Sequence, residues 1–114
     1  MREIKFKYWD KRLKKFAINC PNYISVNNIK SFIDDYNFLQ YTGYKDKNDT
    51  EIYEGDIINA FIIEDHIETM GTIVFDDYFL FYANKNLAGN TPLFKLNNIE
   101  VIGNIYENPE LLKG

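Results

Sequence analysis

His66 is the single histidine of this 114-residue chain and Cys20 the single cysteine. Nucleophilic chemistry on a histidine base would therefore need His66 to reach Cys20, Ser25 or Ser31, all far from it in sequence. A nucleophile is activated only within hydrogen-bond reach of its base, and nothing around Cys20 would depress a thiol pKa. Cys20 reads as a small apolar filler. Glu64, His66 and Glu68 alternate, so on a strand they would share one face, and two carboxylates with one imidazole make a metal-ligating set. The plainer reading is a charged hairpin tip in water. Glu54 with Asp56 and Asp76 with Asp77 are close carboxylate pairs. Neighbours on a strand point to opposite faces, so Asp76 and Asp77 cooperate only if a turn folds them together. Gly55-Asp56 reads as a turn feeding a strand, with the aspartate bonding nearby amides. No GxGxxG, P-loop, HExxH or CxxC pattern occurs. The expectation is a non-enzyme with no catalytic set, no cofactor and no metal site.

Binding chemistry is better represented. Aromatic residues make up 17% of the chain, with 9 Tyr, 9 Phe and one Trp. Tyr8, Trp9, Phe38, Tyr41, Tyr44, Tyr53, Tyr78, Tyr82 and Tyr106 exceed what a core of this size buries in full. Tyrosine at a surface suits protein interfaces and base stacking alike. Charge is polarised as well. Residues 1–15 hold seven cations and two acids, a local +5, while the remainder holds six cations and fifteen acids, or −9. Such asymmetry marks either a nucleic-acid face or a cationic hairpin packed near an acidic neighbour. An acidic protein with pI near 4.9 is not a generic nucleic-acid coat. The candidate partner-binding residues are Lys7, Trp9, Lys11, Arg12, Lys14, Lys15, Tyr41, Tyr44, Lys45 and Tyr53. The leading expectation is a binding module for a protein or nucleic acid that also forms a homo-oligomer. The alternative is a nucleotide-binding, sequestering oligomer or a small hydrolase.

The elements that must position these residues are mainly β. At 46% hydrophobic and 26% charged, the composition is that of a soluble globular domain. No run approaches the ~20 apolar residues of a membrane span, and the charged start is unlike a signal peptide. Residues 3–8 alternate, with Ile4, Phe6 and Tyr8 on one face, which predicts a half-buried strand. With a turn at 10–15 and a return strand from Phe16, residues 1–20 read as an N-terminal hairpin. Ile29, Phe32, Ile33 and Tyr36 at i, i+3, i+4 and i+7 predict one short helix. Strands follow at 38–44, 51–53, 57–63, 72–75, 78–82, 93–96 and 100–106, with a hairpin tip at 64–71 and a long loop at 83–92. Asn108-Pro109-Glu110 predicts a short C-terminal helical turn. The fold class is mainly β, α+β at the margin. It is a single domain, 1–114, with a small SH3-like barrel or sandwich as its core over 38–106.

Three blocks point to a family: residues 1–10 (MREIKFKYWD), 39–48 (LQYTGYKDKN) running into 51–57 (EIYEGDI), and 100–112 (EVIGNIYENPELL). In this order and spacing the chain resembles the YopX family of small phage and prophage proteins. The resemblance implies a small, mainly β protein of phage or prophage origin, without an established activity. Together with the aromatic excess and the polarised charge, this gives the expectation of an accessory factor in the cytoplasm of a bacterial host cell, acting on a host protein or nucleic acid. The resemblance supplies no catalytic residues. Asn48-Asp49 stands where the family pattern usually has Asn-Gly, and Tyr44 where an aliphatic residue is more usual. Asn-Asp reaches the left-handed region at more cost than Asn-Gly, so a wider loop is expected there.

Overall fold

The clean alternation of residues 6–10 does form a strand, but the face it buries is not the one the pattern indicates. In the computed structural model, which describes residues 5–17, 35–64, 66–75, 81–85 and 89–112 (backbone alone for 81–90), strand β1 is Phe6–Asp10. Trp9 is buried on the side shared with Lys5 and Lys7, while Phe6 on the opposite side is 44% exposed. The reason lies in the partners. Lys7 Nζ sits 4.4 Å from the centre of the Tyr53 ring and Lys5 Nζ 5.3 Å from that of Tyr41. The ammonium groups sit over the ring faces, a cation–π arrangement that brings the lysines and the tyrosines to the same side of the sheet.

Four antiparallel strands form the first sheet in the order β2-β1-β3-β4, with β2 at Lys15–Phe16, β3 at Tyr36–Lys45 and β4 at Glu51–Tyr53. Trp9 faces Phe16 across β1 and β2, and Lys7 faces Leu39 across β1 and β3. The pairing of β3 with β4 slips between Tyr41 and Lys45. There Gly43 takes φ +89, and Thr42 Oγ1 donates to the Ile52 carbonyl at 2.7 Å while accepting the Tyr44 N–H at 3.1 Å. A glycine absorbs the bulge and the hydroxyl replaces the interrupted ladder.

A five-stranded sheet follows in the order β8-β7-β6-β5-β9. Its strands are β5 Asp56–Ile62, β6 Ile67–Phe75, β7 Phe81–Lys85, β8 Gly89–Pro92 and β9 Leu96–Asn104. Alternate residues Ile58, Ala60 and Ile62 of β5 turn inward with Ile52, Ile73, Leu93 and Leu96, and Phe75, Ile99 and Val101 pack around them. The sheet curls into a half-barrel. Among the described residues β8 and β9 do not pair, so the expected small barrel is open at that seam.

Several expectations move at their boundaries. The tip predicted at 64–71 is shorter, because β6 already starts at Ile67. The loop predicted at 83–92 holds the paired strands β7 and β8, with Tyr82 opposite Pro92 and Lys85 opposite Gly89. The Asn, Gly and Pro residues there mark a hairpin. Leu93–Lys95 is a 3-10 turn and not a strand. Tyr36, expected at the end of the short helix, opens β3, and no helix of seven or more residues occurs among the described residues. The rest of that segment lies outside the described residues, as do Cys20, Ser25, Ser31, Asp76, Asp77 and Tyr78. Pro109–Leu112 forms the expected terminal turn, as a 3-10 helix. No helix among the described residues is long and apolar enough to cross a membrane.

Candidate functional site

The turn between β1 and β2 concentrates the cations of the N-terminal region. Asp10 Oδ1 accepts the backbone N–H groups of Arg12 at 2.9 Å and Leu13 at 3.1 Å, and the Lys14 N–H bonds the Asp10 carbonyl at 2.8 Å. Lys11 N–H bonds the Asp35 carbonyl at 2.9 Å, and Lys14 takes φ +54. These bonds hold the loop in one conformation through local aspartate capping. Lys11, Arg12, Leu13, Lys14 and Lys15 are all exposed, Leu13 at 62%. Arg12 Nε lies 3.8 Å from Asp35 and 4.0 Å from Asp10. Among the described residues Lys11, Lys14 and Lys15 have no carboxylate partner. The tip is thus a rigid, cationic prominence around one exposed leucine.

The aromatic candidates do not join it. Trp9, Tyr41 and Tyr53 are buried. Trp9 meets Phe16 edge-on, with ring centres 5.0 Å apart, and stacks on Tyr106 at 5.2 Å and 29°. Tyr53 packs 5.3 Å from Tyr41, and its hydroxyl donates to Glu51 Oε1 at 3.2 Å. Burial, with Glu51 beside it, raises the Tyr53 phenol above its ordinary pKa. Glu51 also pairs with Lys5, and that bond holds its carboxyl below the usual range. Tyr44 is 48% exposed, and Lys45 pairs with Asp49 at 3.7 Å. Tyr36 pairs with Asp10 beside the tip, so Lys45 at the other end of β3 lies roughly 30 Å away along the strand. The ten candidates therefore divide into an exposed tip, a buried aromatic layer and a remote strand end.

Two buried carboxylates serve the junction between the sheets. Burial would raise the Asp46 pKa, but hydrogen bonds from the backbone of Val101, Thr50 and Asn48 outweigh it and hold the carboxyl below its usual value. Asp56 receives one short bond, from the Tyr53 N–H at 2.7 Å. Burial pushes its pKa up to about 6, against the pull of that N–H and of Lys7 and with a push from Asp46. Perturbed carboxylates often mark active sites. Asp56, however, lines neither of the two grooves described next.

One groove lies between the sheets, walled by Phe38, Glu54, Gly55, Val74 and Tyr106. The other, about 370 Å³, opens on the outer face of the half-barrel. Its lining includes Lys47, Asn59, Phe61, Glu68, Met70 and Glu100. Glu64, His66 and Glu68 do not line up on a strand. His66 sits in the turn at φ +55 with its ring 6.3 Å from that of Phe61, and Glu64 pairs with Lys95 at 3.1 Å. No group of three or more His, Cys, Asp and Glu placed to hold a metal occurs among the described residues.

With this geometry in hand, comparison with known proteins is informative about lineage. The family model described as YopX protein matches residues 3–113. The chain belongs to the YopX family. Among solved structures it is similar to "Crystal structure of protein EF1440 from Enterococcus faecalis", with a TM-score of 0.61 and 24% sequence identity over 99% of this chain and 100% of that one. At that identity the likeness concerns the fold. No curated protein matches the chain.

In this YopX-family chain, sequence reasoning located the tip cations and missed Leu13 at their centre. An apolar residue inside the run KRLKK was the available signal. It also missed the outer groove, whose Phe61, Glu68, Met70 and Glu100 come from three strands. Only the register that sets Phe61 opposite Glu68, and Asn59 opposite both Met70 and Glu100, brings them together.

Proposed function

We propose that this YopX-family chain is a non-enzymatic binding module of a phage or prophage, which presents its β1–β2 tip to an acidic surface of a host protein in the bacterial cytoplasm. The observation that carries this reading is the tip itself. Lys11, Lys14 and Lys15 have no ion-pair partner among the described residues, and Asp10 holds the loop in place before any partner arrives. A preorganised loop loses little conformational entropy on binding, and unpaired cations steer an acidic partner toward it. Trp9, Tyr41 and Tyr53 are buried, so none of these three candidates offers its ring for base stacking, which weighs toward a protein. Two of the perturbed carboxylates, Asp46 and Glu51, have structural partners, in a turn and across the first sheet.

The test is capture of partners from host lysate by immobilised wild-type chain and by the Lys11→Glu, Lys14→Glu, Lys15→Glu variant. All three side chains are exposed, so the variant keeps its circular dichroism spectrum. Captured protein is expected to fall with the variant and with rising salt. An unchanged capture profile would overturn the tip as the contact. Tight, salt-sensitive binding of labelled duplex DNA would move the reading to nucleic acid.

A further inference from the structure

The outer face of the half-barrel carries the chemistry opposite to the tip. Alternate residues of β5 that turn away from the core place Asn59 and Phe61 on this face, with Met70 and Glu68 opposite them on β6 and Glu100 on β9. Phe61 and Met70 are the two large apolar side chains of a lining that is otherwise largely polar and includes Lys47. Glu68 and Glu100 stand on the strands flanking β5, offset by two residues and so about 12 Å apart across the sheet. Neither carboxylate has an ion-pair partner among the described residues. None of the groove's lining comes from residues 11–15, so the tip does not fill the groove of its own chain.

We propose that the tip of one copy docks in the outer groove of a second copy of this chain. Leu13 meets Phe61 and Met70, and Lys11, Lys14 and Lys15 meet Glu68 and Glu100. The occupant follows first from charge: among the described residues, Lys11, Lys14 and Lys15 at the tip and Glu68 and Glu100 at the groove have no ion-pair partner, and the two carboxylates outweigh Lys47 in the same lining. Leu13 at the tip is matched by Phe61 and Met70 in an otherwise largely polar groove. Residues 1–15 carry +5 and the remainder −9, so each copy holds both halves of the contact, always at equal concentration. Desolvating Leu13 supplies the anchor, and the surrounding charges set register and encounter rate. The proposal rests on the reading of the tip as a contact surface and gives that surface a second partner, another copy of the chain.

Light scattering after size exclusion tests it on the full chain. The wild type is expected to show a mass above 13.5 kDa that falls toward one chain on dilution and at high salt. Leu13→Asp is expected to weaken self-association at least ~10-fold. The tip-reversed chain (Lys11→Glu, Lys14→Glu, Lys15→Glu) and the groove-reversed chain (Glu68→Lys, Glu100→Lys) are each expected to run as one chain alone. Mixed, they are expected to associate, because each tip then meets a groove of opposite charge. A misfolded variant would not recover on mixing. A wild type of one-chain mass at every concentration, association indifferent to both reversals, or a mixture that stays apart would each overturn the proposal. Host-protein capture separates the two readings. A groove-reversed chain that still captures its partner leaves the tip's role standing whatever becomes of self-association.

Discussion

Asp46 Oδ2 accepts the backbone N–H of Val101 at 2.9 Å, across 55 residues of sequence. The same carboxylate closes its own turn, with Oδ1 accepting the N–H groups of Asn48 at 2.8 Å and Thr50 at 2.9 Å. Beside it, the Lys47 N–H bonds the Ile99 carbonyl at 2.8 Å. One side chain therefore fixes the loop after β3 and attaches it to β9 of the other sheet.

Replacing that carboxylate tests its weight. Asp46→Ala leaves three backbone donors without their acceptor and is expected to cost about 2–4 kcal/mol, read from urea unfolding. Asp46→Asn keeps one acceptor oxygen and is expected to cost less. A wild-type midpoint in the alanine variant would show that water serves these donors equally well.

Asp56 predicts an inverted pH response. Its folded pKa, about 6, lies above the ordinary 3.8, so the folded state holds a proton that the unfolded chain releases. The stability tied to that proton is full below about pH 4 and is lost as pH rises through 6. Asp56→Asn keeps an oxygen for the Tyr53 N–H and removes the buried charge. It is expected to be more stable than the wild type at pH 7.5, by up to about 3 kcal/mol, with the gap closing toward pH 4. Asp46 and Glu51 have the opposite sign, since their folded pKa values are lowered. Their contribution is present above about pH 4 and is lost on acidification below it. Thermal melts of the wild type are therefore expected to peak between about pH 4 and 6, and a monotonic rise to pH 8 would contradict the assignment of Asp56.

Trp9 is the single tryptophan, and its stack on Tyr106 spans the first sheet and the turn that follows β9. Its fluorescence thus reports on the junction. Tyr106→Ala is expected to shift the native emission to the red while leaving the far-ultraviolet spectrum unchanged. Trp9→Ala, which empties a buried site, is expected to cost about 3–5 kcal/mol. Native emission unaltered by Tyr106→Ala would mean that other groups shield the indole.

Gly103 has no room for a side chain. A Cβ there would lie 2.6 Å from Asn108 Oδ1 and 2.9 Å from its Cγ. Asn108 cannot swing away freely, because Oδ1 accepts the Asn104 N–H at 3.2 Å and its backbone N–H bonds the Asn104 carbonyl at 2.9 Å. Gly103→Ala is expected to destabilise by about 1–3 kcal/mol and to release the terminal turn, seen as faster amide exchange over residues 104–112. An alanine variant of unchanged stability would show that Asn108 repacks at no cost.

Local text determined more of this protein than the site did. Turns at 10–15 and at Asn108-Pro109-Glu110 were legible from residues a few positions apart, though the Asn108 side chain bonds back to the Asn104 N–H and not into the helical turn. Asp49, standing where the family pattern has glycine, takes the left-handed φ of +68 that such a turn demands. The mainly β class followed from alternation and from turn residues, which act over a few positions. The three blocks that suggested YopX carried the lineage. Tertiary structure decided what alternation cannot: which face of a strand is inside. Period two marks two faces and names neither, and β1 buries Trp9 beside lysines because tyrosine rings on β3 and β4 receive their ammonium groups. Tertiary packing also withdrew Tyr41 and Tyr53 from the surface, opened the half-barrel, and assembled Phe61, Met70, Glu68 and Glu100 through strand register. Those contacts join residues up to about forty positions apart, and their energy comes from surfaces that exist only once the sheets have formed.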